Sequence, residues 1–113
     1  MHELSVAMGI VNIAEKETKK ANKNKVTLIE LEIGSVSGVA LDSLEYVWDI
    51  AVKDTVLEKA TKKFIFIKAE AKCLDCDTIF NVKNVYDNCP NCESYKNEII
   101  KGKELRVKSL EVI

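Results

Sequence analysis

The 113-residue sequence predicts an α+β fold: a small mixed three-stranded sheet covered by two helices, with an inserted ribbon module built on four cysteines. Three observations carry that prediction. Two stretches repeat their apolar residues every 3.6 positions, and three others alternate apolar with polar residues. A polar segment between the last two of those strands holds all four cysteines as two C-x2-C pairs.

The first helix spans residues 4–22. Val6, Ala7, Ile10, Val11, Ala14, Thr18 and Ala21 project to one side, and Ser5, Asn12, Lys16, Lys19 and Lys20 to the other. Glu15 stands four residues before Lys19, a favourable charge pairing on a helix. Gly9 costs roughly 1 kcal/mol against alanine, which a close packing contact would explain. The polar run NKNK ends the helix. KVTLIELEIG then alternates, with Thr27, Ile29, Leu31 and Ile33 on one face, and Gly34 closes the strand. After the loop GSVSG the helical period returns from Leu41 to about Glu58, with Leu41, Leu44, Val47, Trp48, Ala51 and Thr55 as its apolar stripe. FIFIKAEA, Phe64 to Ala71, reads as the second strand and ELRVKSLEVI, Glu104 to Ile113, as the third. The first two strands flank a helix, so they run parallel through a right-handed crossover, and the third returns antiparallel. Residues 1–71, completed by 98–113, then form one α/β domain, and residues 72–97 form the ribbon, tethered by stems near Ala71 and Lys101.

Hydrophobic residues make up 47% of the chain and charged residues 31%, with a net charge of −1. That suits one compact domain with a small appendage. It offers no basic surplus for nucleic acid or anionic lipid. LSVAMGIVNIA is apolar, but no basic segment precedes it, and no stretch approaches the ~20 apolar residues of a membrane span. A reducing, cytoplasmic setting is the expectation.

In CLDCDTIFNVKNVYDNCPNC, two residues separate the thiols of each pair and twelve separate the pairs. Such turns aim two sulfurs at one ion, and two facing turns give four sulfurs at the corners of a tetrahedron about 2.3 Å from Zn2+. Zinc on Cys73, Cys76, Cys89 and Cys92 is the expectation, with iron in the same geometry as its rival. Four thiolates leave no position for water, so the ion is structural, and a hydrolytic zinc enzyme is disfavoured. Within the segment Asp75, Asp77 and Asp87 outnumber Lys83, which argues against phosphate binding. Phe80 and Tyr86 read as the small core of the ribbon.

The opening MHEL holds the only histidine. The Met1 amine, the His2 amide nitrogen and the His2 imidazole can form fused chelate rings around one ion, with Glu3 or a distant carboxylate completing it. Nitrogen-rich, tetragonal sites suit Ni2+ or Cu2+. A solitary histidine near a chain end is more often simply solvated, so residue types alone leave both readings open.

Taken together, MHELSVAMGI, LEIGSVSGV, CLDC…CPNC and GKELRVKSLEVI resemble the HypA/HybF hydrogenase maturation proteins, in order and across essentially the whole chain. The resemblance implies a nickel metallochaperone, not an enzyme. It implies Ni2+ as cargo on Met1, His2 and Glu3, and structural Zn2+ on the four cysteines. The implied partners are a HypB-type GTPase and the [NiFe]-hydrogenase large subunit, with urease maturation proteins in some bacteria, and no nucleic acid or membrane. Oligomeric state stays open between monomer and homodimer. Some members add an acidic residue at the start of the second helix, and Asp42 is the matching position. Asp42 and Glu45 also have capping-box spacing, so capping and ligation are both open to Asp42. Leu41 stands where the family often has proline. The rival from another class is a zinc-ribbon adaptor with no second metal.

Overall fold

The computed structural model describes residues 3–113; Met1 and His2 lie outside the described residues. The element order is α1 (Glu3–Lys20), β1 (Val26–Gly34), α2 (Leu41–Val52), β2 (Thr61–Ile67), β3 (Glu70–Cys73), β4 (Ile79–Asn81), β5 (Asn97–Lys101) and β6 (Leu105–Val112). The chain forms two compact units. One comprises Met1–Leu31, Val39–Ile65 and Arg106–Ile113, the other Glu32–Gly38 and Phe66–Leu105. The chain passes between them at four points, not at two stems near Ala71 and Lys101. The second unit also extends well beyond the expected 72–97.

In the first unit α1 buries Ala7, Ile10, Val11, Ala14 and Thr18, the face that its period marks. Gly9 makes no close contact: a Cβ built there meets nothing within 4 Å. Glu15 accepts a hydrogen bond from the Val56 amide at 3.1 Å in place of the expected pairing with Lys19. The sheet has the order β2-β1-β6. Ser35 N donates to Ile67 O, and Lys63 meets Glu30, so β1 and β2 advance together as a parallel pair. Lys25 and Ile113 exchange backbone hydrogen bonds at one end while Gly34 N reaches Glu104 O at the other, so β6 returns antiparallel. Ile29, Leu31 and Ile33 are buried along β1. Leu44, Trp48 and Val52 are buried on α2, and Trp48 meets Phe64 of β2 edge-on at 5.6 Å.

The second helix stops at Val52, six residues before the sequence pattern suggests. Asp54 adopts a left-handed φ of 62°. The Thr55 hydroxyl donates to Val52 O at 2.6 Å and accepts from Leu57 N at 3.1 Å. The Glu58 carboxylate accepts from Asp54 N. Short polar side chains here take backbone groups that a helix would have used. The turn lets Leu57, fully buried, enter the core from outside any regular element.

The expected strand Phe64 to Ala71 is in fact two strands in different sheets. β2 ends at Ile67, and β3 starts at Glu70 as the centre of an antiparallel sheet, order β4-β3-β5. Between them Ala69 N donates to Ser35 Oγ at 2.9 Å and Ala69 O accepts from Val82 N at 3.1 Å, which turns the backbone out of the first ladder. This second sheet carries the cysteines. Its core is small: Ala69, Ala71 and Val82, with Val36, Phe80 and Ile99 packed against them. Phe80 takes the expected inner position. Tyr86 does not; it is 73% exposed.

Candidate metal centre

The four cysteines converge. One ligand atom from each of Cys73, Cys76, Cys89 and Cys92 lies within 4.8 Å of the others. Cys73 Sγ is 3.5 Å from Cys92 Sγ and Cys76 Sγ is 3.6 Å from Cys89 Sγ. Those separations are far longer than a disulfide's S–S bond of about 2.0 Å. They approach the ~3.8 Å edge of a tetrahedron whose corners sit 2.3 Å from a central zinc. The donor set therefore fits a tetrahedral thiolate-preferring ion, and nothing else of ligating type enters the group. Such an ion would cross-link the two turns and supply no open coordination position.

The two turns are built alike. Cys73 N donates to Thr78 O, and Asp77 N to Cys73 O; Cys89 N donates to Ser94 O, and Glu93 N to Cys89 O. Asp77 and Glu93 both sit at left-handed φ, 63° and 64°. The sequence signal is C-x2-C-acid-hydroxyl, written once as CLDCDT and again as CPNCES. This short repeat is legible, but its meaning is not evident until the backbone is seen. Around the sulfurs, Thr78 Oγ1 lies 3.1 Å from Cys76 Sγ, Asn91 Nδ2 donates to the same sulfur at 3.6 Å, and Asn91 N donates to Cys89 Sγ at 3.4 Å. The Ser94 hydroxyl donates to the Asp75 carboxylate, tying one turn to the other. Thr78, Asn91, Ser94 and Asp75 are supporting residues that sequence reasoning passed over.

Left to protons alone, the sulfurs are unequal. Hydrogen bonding from Thr78, then from Asn91, holds the Cys76 thiol down to about 6. The Ser94 amide draws Cys92 down, but hydrogen bonds to Cys73 and the other cysteines, with burial, outweigh it and push Cys92 up to about 12. A thiolate at Cys76 beside protonated neighbours is what a cluster shows when several sulfurs share one cavity and no cation compensates their charge.

A second group forms at the start of the two helices. Glu3, Leu4, Asp42, Ser43, Tyr46 and Val47 line a cleft of about 400 Å³. Met1 and His2, the other candidate nickel ligands, lie outside the described residues. Ala40 is the N-cap of α2 and offers no side-chain cap. Glu3 Oε2 accepts the Ala40 N–H at 3.3 Å, so a carboxylate from α1 takes the capping role. Asp42 lies one residue inside the helix, in its first turn, where its charge suits the positive end of the helix dipole. The capping-box reading of Asp42 is thereby corrected: its side chain caps nothing, and it faces the same cleft as Glu3.

Known proteins resemble this chain along its full length. A family model described as "Hydrogenase/urease nickel incorporation, metallochaperone, hypA" matches residues 1–112. A hydrogenase maturation factor HypA of Parabacteroides distasonis is 45% identical over 112 residues, 99% of this chain and 97% of that protein. Another, of Francisella philomiragia, is 39% identical over 97% of each chain. The solution structure of the Ni metallochaperone HypA from Helicobacter pylori superposes with a TM-score of 0.72 at 27% identity, covering 100% of this chain and 98% of that one. Among the described residues no helix is long and apolar enough to cross a membrane. The chain belongs to the HypA family of hydrogenase maturation nickel metallochaperones, which are metal-delivery factors and not catalysts.

Proposed function

We propose that this protein binds Ni(II) through the Met1 amine, His2 and Glu3, with Asp42 as a further ligand, and passes it with a HypB-type GTPase to the [NiFe]-hydrogenase large subunit. Urease is a second recipient in this reading, and the cytoplasm is the setting. The single observation that carries it is the cleft that joins Glu3, the residue after His2, to Asp42 across the starts of two helices. Neither carboxylate is needed there as a conventional helix cap, except through the Glu3–Ala40 contact. One imidazole, a chain-end amine and two exposed or half-exposed carboxylates select a nitrogen-loving ion yet leave it open to transfer. Protons compete for the amine and imidazole, so nickel binding weakens as pH falls through the titration of His2, near ~6.5 if unperturbed.

We assign Zn2+ to the four cysteines as a structural ion that fixes the second unit. The test is metal analysis of untagged protein after nickel loading. We expect one zinc and one nickel per chain in the native sequence, and one zinc alone in His2→Ala or with a residue added before Met1. Equal nickel uptake by all three would leave only the zinc-ribbon adaptor. Asp42→Ala should weaken nickel binding without lowering the unfolding midpoint, because Asp42 caps nothing.

A further inference from the structure

We propose that the groove between α1 and α2 is a docking site for an amphipathic helix of another protein, apolar on one face and flanked by lysine or arginine. The two helices run in the same direction. Glu3 reaches Ala40 at their starts, and Glu15 reaches Val56 just past the end of α2. Leu4 and Met8 stand one turn apart on α1, and Tyr46 and Ile50 one turn apart on α2. Leu4 and Tyr46 line the same cleft, so the two rows border one groove. All four are exposed, Tyr46 at 82% and Ile50 at 69%. Solvated single apolar residues need no explanation, but two parallel rows at helical spacing form a patch that water should not keep.

The geometry selects the occupant. Helical rows offer no unpaired backbone, so strand addition has nothing to bond to. Two helices side by side leave a trough into which a third helix sets anchors spaced three and four residues apart. Charge narrows the choice further. Glu3, Asp42, Glu45 and Asp49 rim the groove on α2 and at its mouth, against Lys53 alone, while the α1 side offers the neutral Ser5 and Asn12. Two copies of this chain meeting through the groove would bring two acidic rims together. An anionic lipid surface would be repelled in the same way. A basic helix is attracted by the same field, and its encounter rate should fall as salt screens it.

The test uses the full zinc-loaded protein and two fluorescent, blocked peptides of about 15 residues, long enough to be helical when bound. Both carry leucines at i, i+3, i+4 and i+7; one has lysines elsewhere and its twin has glutamates. Anisotropy should show the lysine peptide binding more weakly at high salt, and the glutamate twin binding at least about tenfold more weakly. Met8→Ser with Ile50→Ser should weaken the lysine peptide at least about tenfold. Glu45→Lys with Asp49→Lys should shift preference toward the glutamate peptide. These positions are exposed, so an unchanged unfolding midpoint guards against misfolding. Tyr95→Ser, at an exposed apolar position in the other unit, should change nothing. Equal binding of both peptides overturns the proposal. So does unaltered binding to the serine variant, or a concentration-dependent dimer that Ile50→Ser abolishes.

Discussion

The carbonyl oxygen of Gly102 lies 1.9 Å from where a Cβ on Gly34 would stand. Gly102, at φ 111°, in turn packs so closely on Ala69 that its own Cβ would fall 2.3 Å from the Ala69 Cα. Val36 N donates to Gly102 O at 2.9 Å, which holds the three backbones together. No flexible side chain can give way here. Gly34→Ala should therefore cost more than about 3 kcal/mol, at the severe end for a single methyl. Urea unfolding would measure it; a cost below about 1 kcal/mol would mean that the stack relaxes.

Gly9 is the opposite case. It sits in the exposed interior of α1 with open space around it. Gly9→Ala should stabilise the protein by about 1 kcal/mol, through helix propensity and a restricted unfolded chain. The rise would appear in the same unfolding curves.

Each cysteine turn spends a left-handed residue on a side chain that dislikes it. Asp77 tolerates that conformation better than Glu93, since a short carboxylate can bond locally. Glu93→Gly should add roughly 0.5–1 kcal/mol, and Asp77→Gly less. Calorimetry of the zinc-loaded variants would rank them; the reverse order would show that the Glu93 side chain makes a compensating contact.

The second unit has too little core to stand unaided, since its fully buried apolar side chains are two alanines and a valine beside the cysteines. Chelating the metal, or Cys89→Ser, should remove amide protection along Glu70–Cys73 and Asn97–Lys101. The first unit holds Ile29, Leu31, Ile33, Leu44 and the single tryptophan, Trp48. Trp48 emission should stay native through that loss. Simultaneous loss of both signals would mean that the ion holds the entire chain.

Legibility tracked locality. The helical faces, the alternation of β1 and the convergence of two C-x2-C pairs are written in short-range spacing. The second sheet was not, because the split at Lys68–Ala69 depends on Ser35 and Val82, distant in sequence. The same holds at α2. Asp42 and Glu45 have the spacing of a capping box, yet Glu3 from α1 caps the helix through Ala40. The early stop at Val52 had a local sign in Asp54 and Thr55, masked because Thr55 falls in phase with the apolar stripe.

Ser109 Oγ donates to Glu30 Oε1 at 2.6 Å, and Lys63 stands 3.7 Å from the other oxygen. The hydroxyl first, and then Lys63 and Lys108, hold the Glu30 carboxyl below its ordinary value of 4.5. A carboxyl whose folded-state titration is depressed binds protons more readily when unfolded. Its contribution is therefore complete above 4.5 and fades as pH falls through the lower folded-state value. Ser109→Ala should move the Glu30 titration up toward 4.5, and the acid limb of the stability curve should begin at higher pH. Glu30→Gln should remove this component, leaving a stability difference from wild type at neutral pH that closes below the folded-state value. Carboxyl-carbon NMR titration of Glu30 in wild type and Ser109→Ala decides the point, because an unchanged midpoint would show that the lysines alone set it.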